Sequence, residues 1–161
     1  MSGKADTDSF MRLALAQAQA ASHRGEVPIG AVVVGPAIEG DEASPRIVLG
    51  RAGNRTEETR DPTAHAEMLA IREAAAKRGA PRLPDCDLYV TLEPCPMCAT
   101  AISFARLRRV VFGAYDPKGG GVEHGPRIFA QPTCHHAPEI VGGIGESEAA
   151  ALLRDFFQAK R

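Results

Sequence analysis

Two short stretches hold the side chains most suited to chemistry. Thr63-Ala64-His65-Ala66-Glu67 supplies an imidazole and a carboxylate, and Pro94-Cys95-Pro96-Met97-Cys98 supplies two thiols. Residues three apart at the start of a helix share a face, with Cβ atoms about 5–6 Å apart. A tetrahedral zinc with Zn–S bonds of about 2.3 Å needs its two sulfurs about 3.8 Å apart, which Cys95 and Cys98 can provide. His65 is the candidate third ligand. Three protein ligands leave the fourth position to water, the pattern of a catalytic rather than a structural zinc. Such a metal lowers the pKa of bound water to about 7.

Glu67 lies too near His65 to ignore, yet residues two apart on a helix point to nearly opposite sides. The conflict eases if the metal lies beyond the helix N-terminus, because Cβ bonds tilt that way. Glu67 could then lean over the water without binding the metal and move protons as a general acid–base. Two thiolates and a carboxylate need positive surroundings, and two helix N-termini aimed at one point provide them. Other chemistries fit less well. A dithiol redox pair leaves His65 and Glu67 unused. A closed structural zinc needs a fourth ligand, from Cys86, Cys134, His135 or His136, and has no use for Glu67.

These groups must be held by a scaffold, and the chain reads as alternating elements. Thr7 or Asp8 can cap a first helix, in which Phe10, Leu13, Ala14, Ala18 and Ala21 recur at helical spacing to about Ser22. Residues 29–34 read as a buried strand and 46–52 as a second, joined by a long polar tip into a hairpin. Residues 53–62 read as a polar loop. Thr63 is a candidate cap for a helix running to about Lys77, with Met68, Leu69 and Ile71 on its packing side. Residues 87–92 form a strand that runs into Pro94-Cys95, and a helix follows over 96–104, with proline well placed at its start. A strand over 109–113, a glycine run at Gly119–Gly121 that suggests a mobile loop, a short strand over 139–141 and a final helix over 146–160 complete the chain. In that last helix Phe156 is expected in the core. Strand–helix alternation implies an α/β fold with a parallel sheet in this half. Sites in such sheets lie beyond the carboxyl ends of the strands, where both motifs fall.

At 161 residues the chain reads as a single domain over 1–161, long enough for a proper core. No run reaches membrane-spanning length, and residues 1–9 lack the apolar core of a secretory signal. Four cysteines, two of them committed to a metal, argue against a disulfide framework and for a cytoplasmic protein. Cys86 and Cys134 read as reduced packing residues. A net charge of −1 excludes the overall basicity of a non-specific nucleic-acid binder, so any RNA must be met by a local patch.

The order His-x-Glu … Pro-Cys-x-x-Cys resembles the signature of zinc nucleobase deaminases, in which an activated hydroxide attacks the ring carbon bearing the amino group while a glutamate shuttles protons. Longer strings narrow the likeness: residues 26–32 (EVPIGAV), 53–55 (GNR), 61–67 (DPTAHAE), 88–95 (LYVTLEPC), 109–114 (RVVFGA) and 155–157 (DFF). Over nearly its whole length the chain is similar to the bacterial tRNA-specific adenosine deaminases. That resemblance implies a three-layer, cytidine-deaminase-like α/β fold, with a five-stranded mixed sheet flanked by helices. It implies hydrolytic conversion of the wobble adenosine of an arginine tRNA anticodon to inosine, one zinc per subunit on His65, Cys95 and Cys98, and Glu67 as the catalytic group. It further implies a base-contacting amide at Asn54, wall contacts from Val27, Pro28 and Ala66, and anticodon contacts at Asp116, Lys118 and Phe157. The implied partners are a tRNA anticodon arm and a second copy in a homodimer, with no membrane and no DNA. The long Gly35–Pro45 tip, Tyr115 and Gly119–Gly121 depart from some relatives. The alternative on the same metal chemistry is a free-nucleobase deaminase acting on guanine or cytosine.

Overall fold

The structure, a computed structural model, describes residues 3–161. Its elements in order are α1 (Gly3–His23), β1 (Gly30–Pro36), β2 (Arg46–Gly53), α2 (Thr56–Thr59), α3 (Ala66–Arg78), β3 (Asp87–Leu92), α4 (Pro96–Ala105), β4 (Arg109–Ala114), a 3-10 turn (Ile128–Ala130), β5 (Glu139–Val141) and α5 (Glu146–Ala159). The five strands form a mixed sheet in the order β2-β1-β3-β4-β5. β1 runs antiparallel to β2 and β3, whereas β3, β4 and β5 are parallel. Side chains alternate across the sheet with the period of two that a pleated strand imposes. Ala31, Val33, Leu88, Val90, Val110 and Phe112 face the layer that contains α3 and α4. Val32, Val34, Tyr89 and Val111 face the α1 side, against Met11 and Ala14.

Small residues let the layers close. A Cβ added to Gly50 of β2 would run into the carbonyl oxygen of Ala70 in α3, and one on Gly30 into that of Ala14 in α1. The buried face of α3 is accordingly Ala66, Glu67, Ala70 and Ala74. This corrects the expectation that Met68, Leu69 and Ile71 form the packing side. Leu69 and Ile71 pack only partly, at the margin of the core. Where backbones approach this closely, the smallest side chains take the face.

Other boundaries also differ from the sequence expectation. The first helix begins at Gly3, so Thr7 and Asp8 lie inside it and do not cap it. Nothing between Lys4 and His23 breaks a helix, and Asp6 sits in its first turn. Residues 1 and 2 of the segment read as polar lie outside the described residues. The loop over 53–62 contains the single turn α2. Its backbone N–H groups at Glu57 and Glu58 donate to the buried Glu26 carboxylate at 3.1 and 2.8 Å.

The hairpin tip is closed by its own bonds, Ala37 N–H to the Pro45 carbonyl at 2.7 Å among them. It is tied to the sheet end by Gly40 N–H to Asp85 at 3.2 Å. Beside it Asp87, with no side-chain exposure, accepts a two-pronged bond from Arg108 at 2.9 and 2.9 Å, and also meets Arg46 and Arg109. Among the described residues no helix is long and apolar enough to cross a membrane.

The close approach at β2 makes a test. Gly50→Ala should destabilise the protein by about 1–3 kcal/mol, the usual cost of forcing extra atoms into a packed contact. Urea unfolding reads this as a lowered midpoint, with exposed Arg51→Ala as control. An unchanged midpoint would mean that α3 shifts away freely and the contact constrains nothing.

Candidate active site

The site is built where two helices begin. His65 is the residue before the first turn of α3, extended at φ −75° and ψ 151°, and its side chain makes no capping bond. Cys95 holds the same position before α4, at φ −71° and ψ 170°, with Pro96 following. Neither the imidazole nor the thiol caps its own helix. His65 Nδ1 lies 3.6 Å from Cys95 Sγ and 3.5 Å from Cys98 Sγ. A tetrahedral zinc with bonds of about 2.0 Å to nitrogen and 2.3 Å to sulfur sets an N···S edge of about 3.5 Å. The residues therefore fit such an ion. Among the described residues, this is the one His/Cys/Asp/Glu group that could hold a metal. His124 and His136 are engaged elsewhere, with Glu93 and with the Leu107 carbonyl.

The electrostatics follow from the crowding. A hydrogen bond from the Cys98 thiol, then one from His65, pulls the Cys95 thiol down to about 4. Cys98 is pushed up by the same neighbour and by burial, and His65 is raised chiefly by its bond to Cys95. One negative charge is thus shared by the two sulfurs, and the imidazole and two helix N-termini face it. By contrast the buried Cys86 thiol, away from the group, is pushed up to about 12 by burial and Asp85.

Glu67 sits in the first turn of α3 and is 4% exposed. Its Oε2 is buried with no hydrogen-bond partner. Burial pushes its carboxyl up to about 7, and the nearby Cys95 adds to the rise. A carboxylate oxygen left unpartnered beside three groups that could hold a metal suits a site that works on a small polar molecule.

Thr63 does not cap α3. Its N–H and hydroxyl both donate to Asp61 Oδ1, at 2.8 and 2.7 Å, and these bonds hold the Asp61 carboxyl below its ordinary range. The cap comes from Asn54, whose Oδ1 accepts the Ala66 N–H at 2.8 Å. Asn54 is 5% exposed and its N–H bonds the Ile29 carbonyl. An oxygen committed to the helix leaves only the amide NH2 to serve a ligand.

Val27, Asp116 and Phe157 come together. With Leu92, Ala114, Tyr115, Ala150 and Leu153 they line a groove of about 450 Å³ between the ends of β3 and β4 and one stripe of α5. Pro28 is buried behind Val27, and Ala66 is buried in the first turn of α3. Lys118 is exposed on the loop after Asp116 and does not line the groove. Phe157 is 49% exposed, and Phe156, contrary to expectation, is only half-buried, joins neither core cluster and packs against Phe157 and Lys160.

Two buried acids escaped the sequence reading. Glu26 caps α2, and Glu93 ties down the loop expected to be mobile. Burial raises the Glu93 carboxyl, but N–H donors from Asp116, Glu123 and Val122 and a bond to His124 outweigh it and hold the group low. The available signal was an acid at the end of an otherwise apolar strand, immediately before Pro94-Cys95.

The comparisons agree with this geometry. A family model described as MafB19-like deaminase matches residues 5–161. The tRNA-specific adenosine deaminase of Agrobacterium fabrum is 57% identical over 157 residues, 98% of this chain and 97% of that protein. A solved structure from work on A-to-I editing by tRNA:A34 deaminases superposes with a TM-score of 0.81 at 56% identity, covering 90% of this chain and 99% of that one. A guanine deaminase from Nitrosomonas europaea superposes with a TM-score of 0.71 at 23% identity, covering 92% and 83%, a likeness of fold alone.

Glu67 yields a pH prediction. Its folded pKa near 7 exceeds the ordinary 4.5. The fold is therefore fully stable with respect to this group below 4.5 and loses stability as pH rises towards 7. The loss is on the order of 3 kcal/mol at about 1.36 kcal/mol per pKa unit. With metal removed by a chelator, Glu67→Gln should be more stable than wild type at pH 8 and similar at pH 4.5. Denaturant unfolding at both values checks this, and parallel pH profiles would show that burial does not raise the group.

Proposed function

The chain belongs to the family of the tRNA-specific adenosine deaminases, and on that premise we propose that it hydrolytically deaminates the wobble adenosine of an arginine tRNA anticodon to inosine in the cytoplasm. The observation that carries this reading is the unpartnered Glu67 oxygen, buried beside the His65–Cys95–Cys98 group. A zinc ion held by these three would make a water molecule acidic enough to attack at neutral pH. The remaining work falls to the chain.

Glu67 takes a proton from water and passes it to the ring nitrogen, then takes the proton of the newly added hydroxyl and passes it to the amino group, which leaves as ammonia. The Asn54 NH2 donates to the base, with its orientation fixed by the bond to Ala66. Val27, Pro28 and Ala66 form the walls. The positive ends of α3 and α4 favour negative charge on the two sulfurs.

A base inside a stacked loop cannot reach this depth, so the target nucleotide must be turned out of the stack. The groove lined by Val27, Tyr115, Asp116 and Phe157 takes a flanking nucleotide, the aromatic rings offering stacking that tolerates any base. Lys118 meets phosphate. With a net charge of −1 the chain has little general attraction for RNA, which favours a surface completed by a second copy. Phe104, 68% exposed on the helix that carries Cys98, supports an apolar contact between copies.

The first test is inosine formation on an arginine tRNA anticodon stem-loop, run beside free adenine, guanine, cytosine and their nucleosides. Inosine should form on the stem-loop alone, and Glu67→Ala should lower the rate by roughly 10²–10⁴, the usual contribution of a positioned acid–base. Ammonia release from a free base with an untouched stem-loop would move the protein to nucleobase salvage. Salt supplies a second test. With about three phosphate contacts to the single-stranded loop, affinity should fall roughly twentyfold between about 50 and 200 mM salt. Salt-independent turnover would count against an RNA substrate.

A further inference from the structure

Glu93 is the first residue after β3 and lies two before Cys95. Its side chain has no exposure. One carboxylate oxygen accepts the Asp116 N–H at 3.0 Å and pairs with His124 Nδ1 at 2.8 Å. The other accepts the N–H groups of Val122, Glu123 and His124 at 3.2, 2.9 and 3.1 Å. A single carboxylate therefore closes a loop at both its ends. Backbone N–H groups converging on one anion form a strong, charge-assisted cradle.

The loop also lies directly on the ligand turn. Gly121 N–H donates to the Pro94 carbonyl at 2.8 Å. A Cβ on Gly121 would sit 2.6 and 2.7 Å from Pro96 N and Cα, and one on Gly120 would overlap Glu93 itself. No side chain spaces the loop from Cys95 and Pro96. At its start the same loop carries Asp116, which lines the groove, and the exposed Lys118. Asp116 Oδ1 folds that corner by accepting N–H bonds from Lys118 and Gly119.

We propose that Glu93 is a positioning residue for the substrate, fixing the loop of residues 116–124 against the Cys95–Cys98 turn so that RNA contact and the metal-ligating turn keep one relative placement. The inference rests on the RNA reading given above. Glu93 is sealed from solvent and touches no substrate, so it acts through the loop. His124 is its one side-chain partner and lies edge-on to Tyr115, with ring centroids 6.2 Å apart, at the lip of the groove.

The test is Glu93→Gln, which keeps the shape and removes the charge. Whichever way the amide turns, its NH2 confronts a backbone N–H. On the anticodon stem-loop KM should rise roughly tenfold, since bonds to a charged group are lost. The value of kcat at saturating RNA and zinc per chain should stay within about twofold, because the three metal-ligating side chains are untouched. Amide hydrogen exchange at residues 122–124 should accelerate at least as much as KM rises. His124→Ala removes one bond of the five and endangers the fold less, and its KM should fall between those of the wild type and Glu93→Gln. An unmoved KM in both variants, or loss of zinc together with kcat, would overturn the inference and leave Glu93 as a prop of the metal turn. If wild-type protein leaves the stem-loop untouched, the functional reading fails before any substitution is made, and the inference falls with it.

Discussion

Two helix N-termini must meet beside the carboxyl ends of the parallel strands, and most of the chain's unusual choices serve that meeting. The ends of α3 and α4 approach until an imidazole nitrogen and two sulfurs lie about as far apart as the corners of a zinc tetrahedron. Like dipole ends repel, so the convergence has to be imposed from outside the helices. On one side the imposition is the bare backbone of Gly50 against α3, continued by Ala66, Ala70 and Ala74. On the other it is the tight exit of β3 into Glu93-Pro94-Cys95. A thiolate shared between the two sulfurs then rewards the arrangement that the packing enforces.

Four acids are buried among the described residues: Glu26, Glu67, Asp87 and Glu93. A buried carboxylate is costly unless it is bonded, and three of these are bonded fully. Glu26 takes two N–H groups of α2, Glu93 takes four backbone N–H groups and an imidazole, and Asp87 takes three guanidinium groups. Glu67 alone keeps an oxygen without a partner. The contrast separates structure from chemistry without appeal to any relative. Glu26 and Glu93 organise backbone and Asp87 gathers arginines, whereas the Glu67 oxygen keeps a capacity that nothing in the fold takes up.

Much of this could be read from residue order. Strand 30–36 is a short apolar run with nothing polar to hide, and a Cys-x-x-Cys after proline at a helix start has few other uses. The sequence was opaque wherever a small or polar residue does structural work at a distance. Ala70 and Ala74 look like helix filler beside Met68 and Leu69, yet the close approach of β2 makes them the buried face. Thr63 sits at the expected capping position, but Asp61 claims its hydroxyl and Asn54 caps the helix from twelve residues upstream. Three glycines in a row suggest a slack loop, and without Glu93 in view nothing says that two of them are buried against the ligand turn. In most of these cases the deciding partner lies far away in sequence.

The hairpin tip stands at the opposite end of the sheet from the His65–Cys95–Cys98 group, because β1 enters at Gly30 beside Thr91 and runs past Val34, paired with Asp87, before it leaves the sheet. It closes on itself through residues 37 and 45 and leans on Asp85 rather than on anything near the groove. The entropic cost of a loop grows only slowly with its length. The tip is therefore a natural splice point, a handle at which a fluorophore, an affinity tag or a whole fused protein could be carried with the edge that holds His65, Cys95 and the groove left clear.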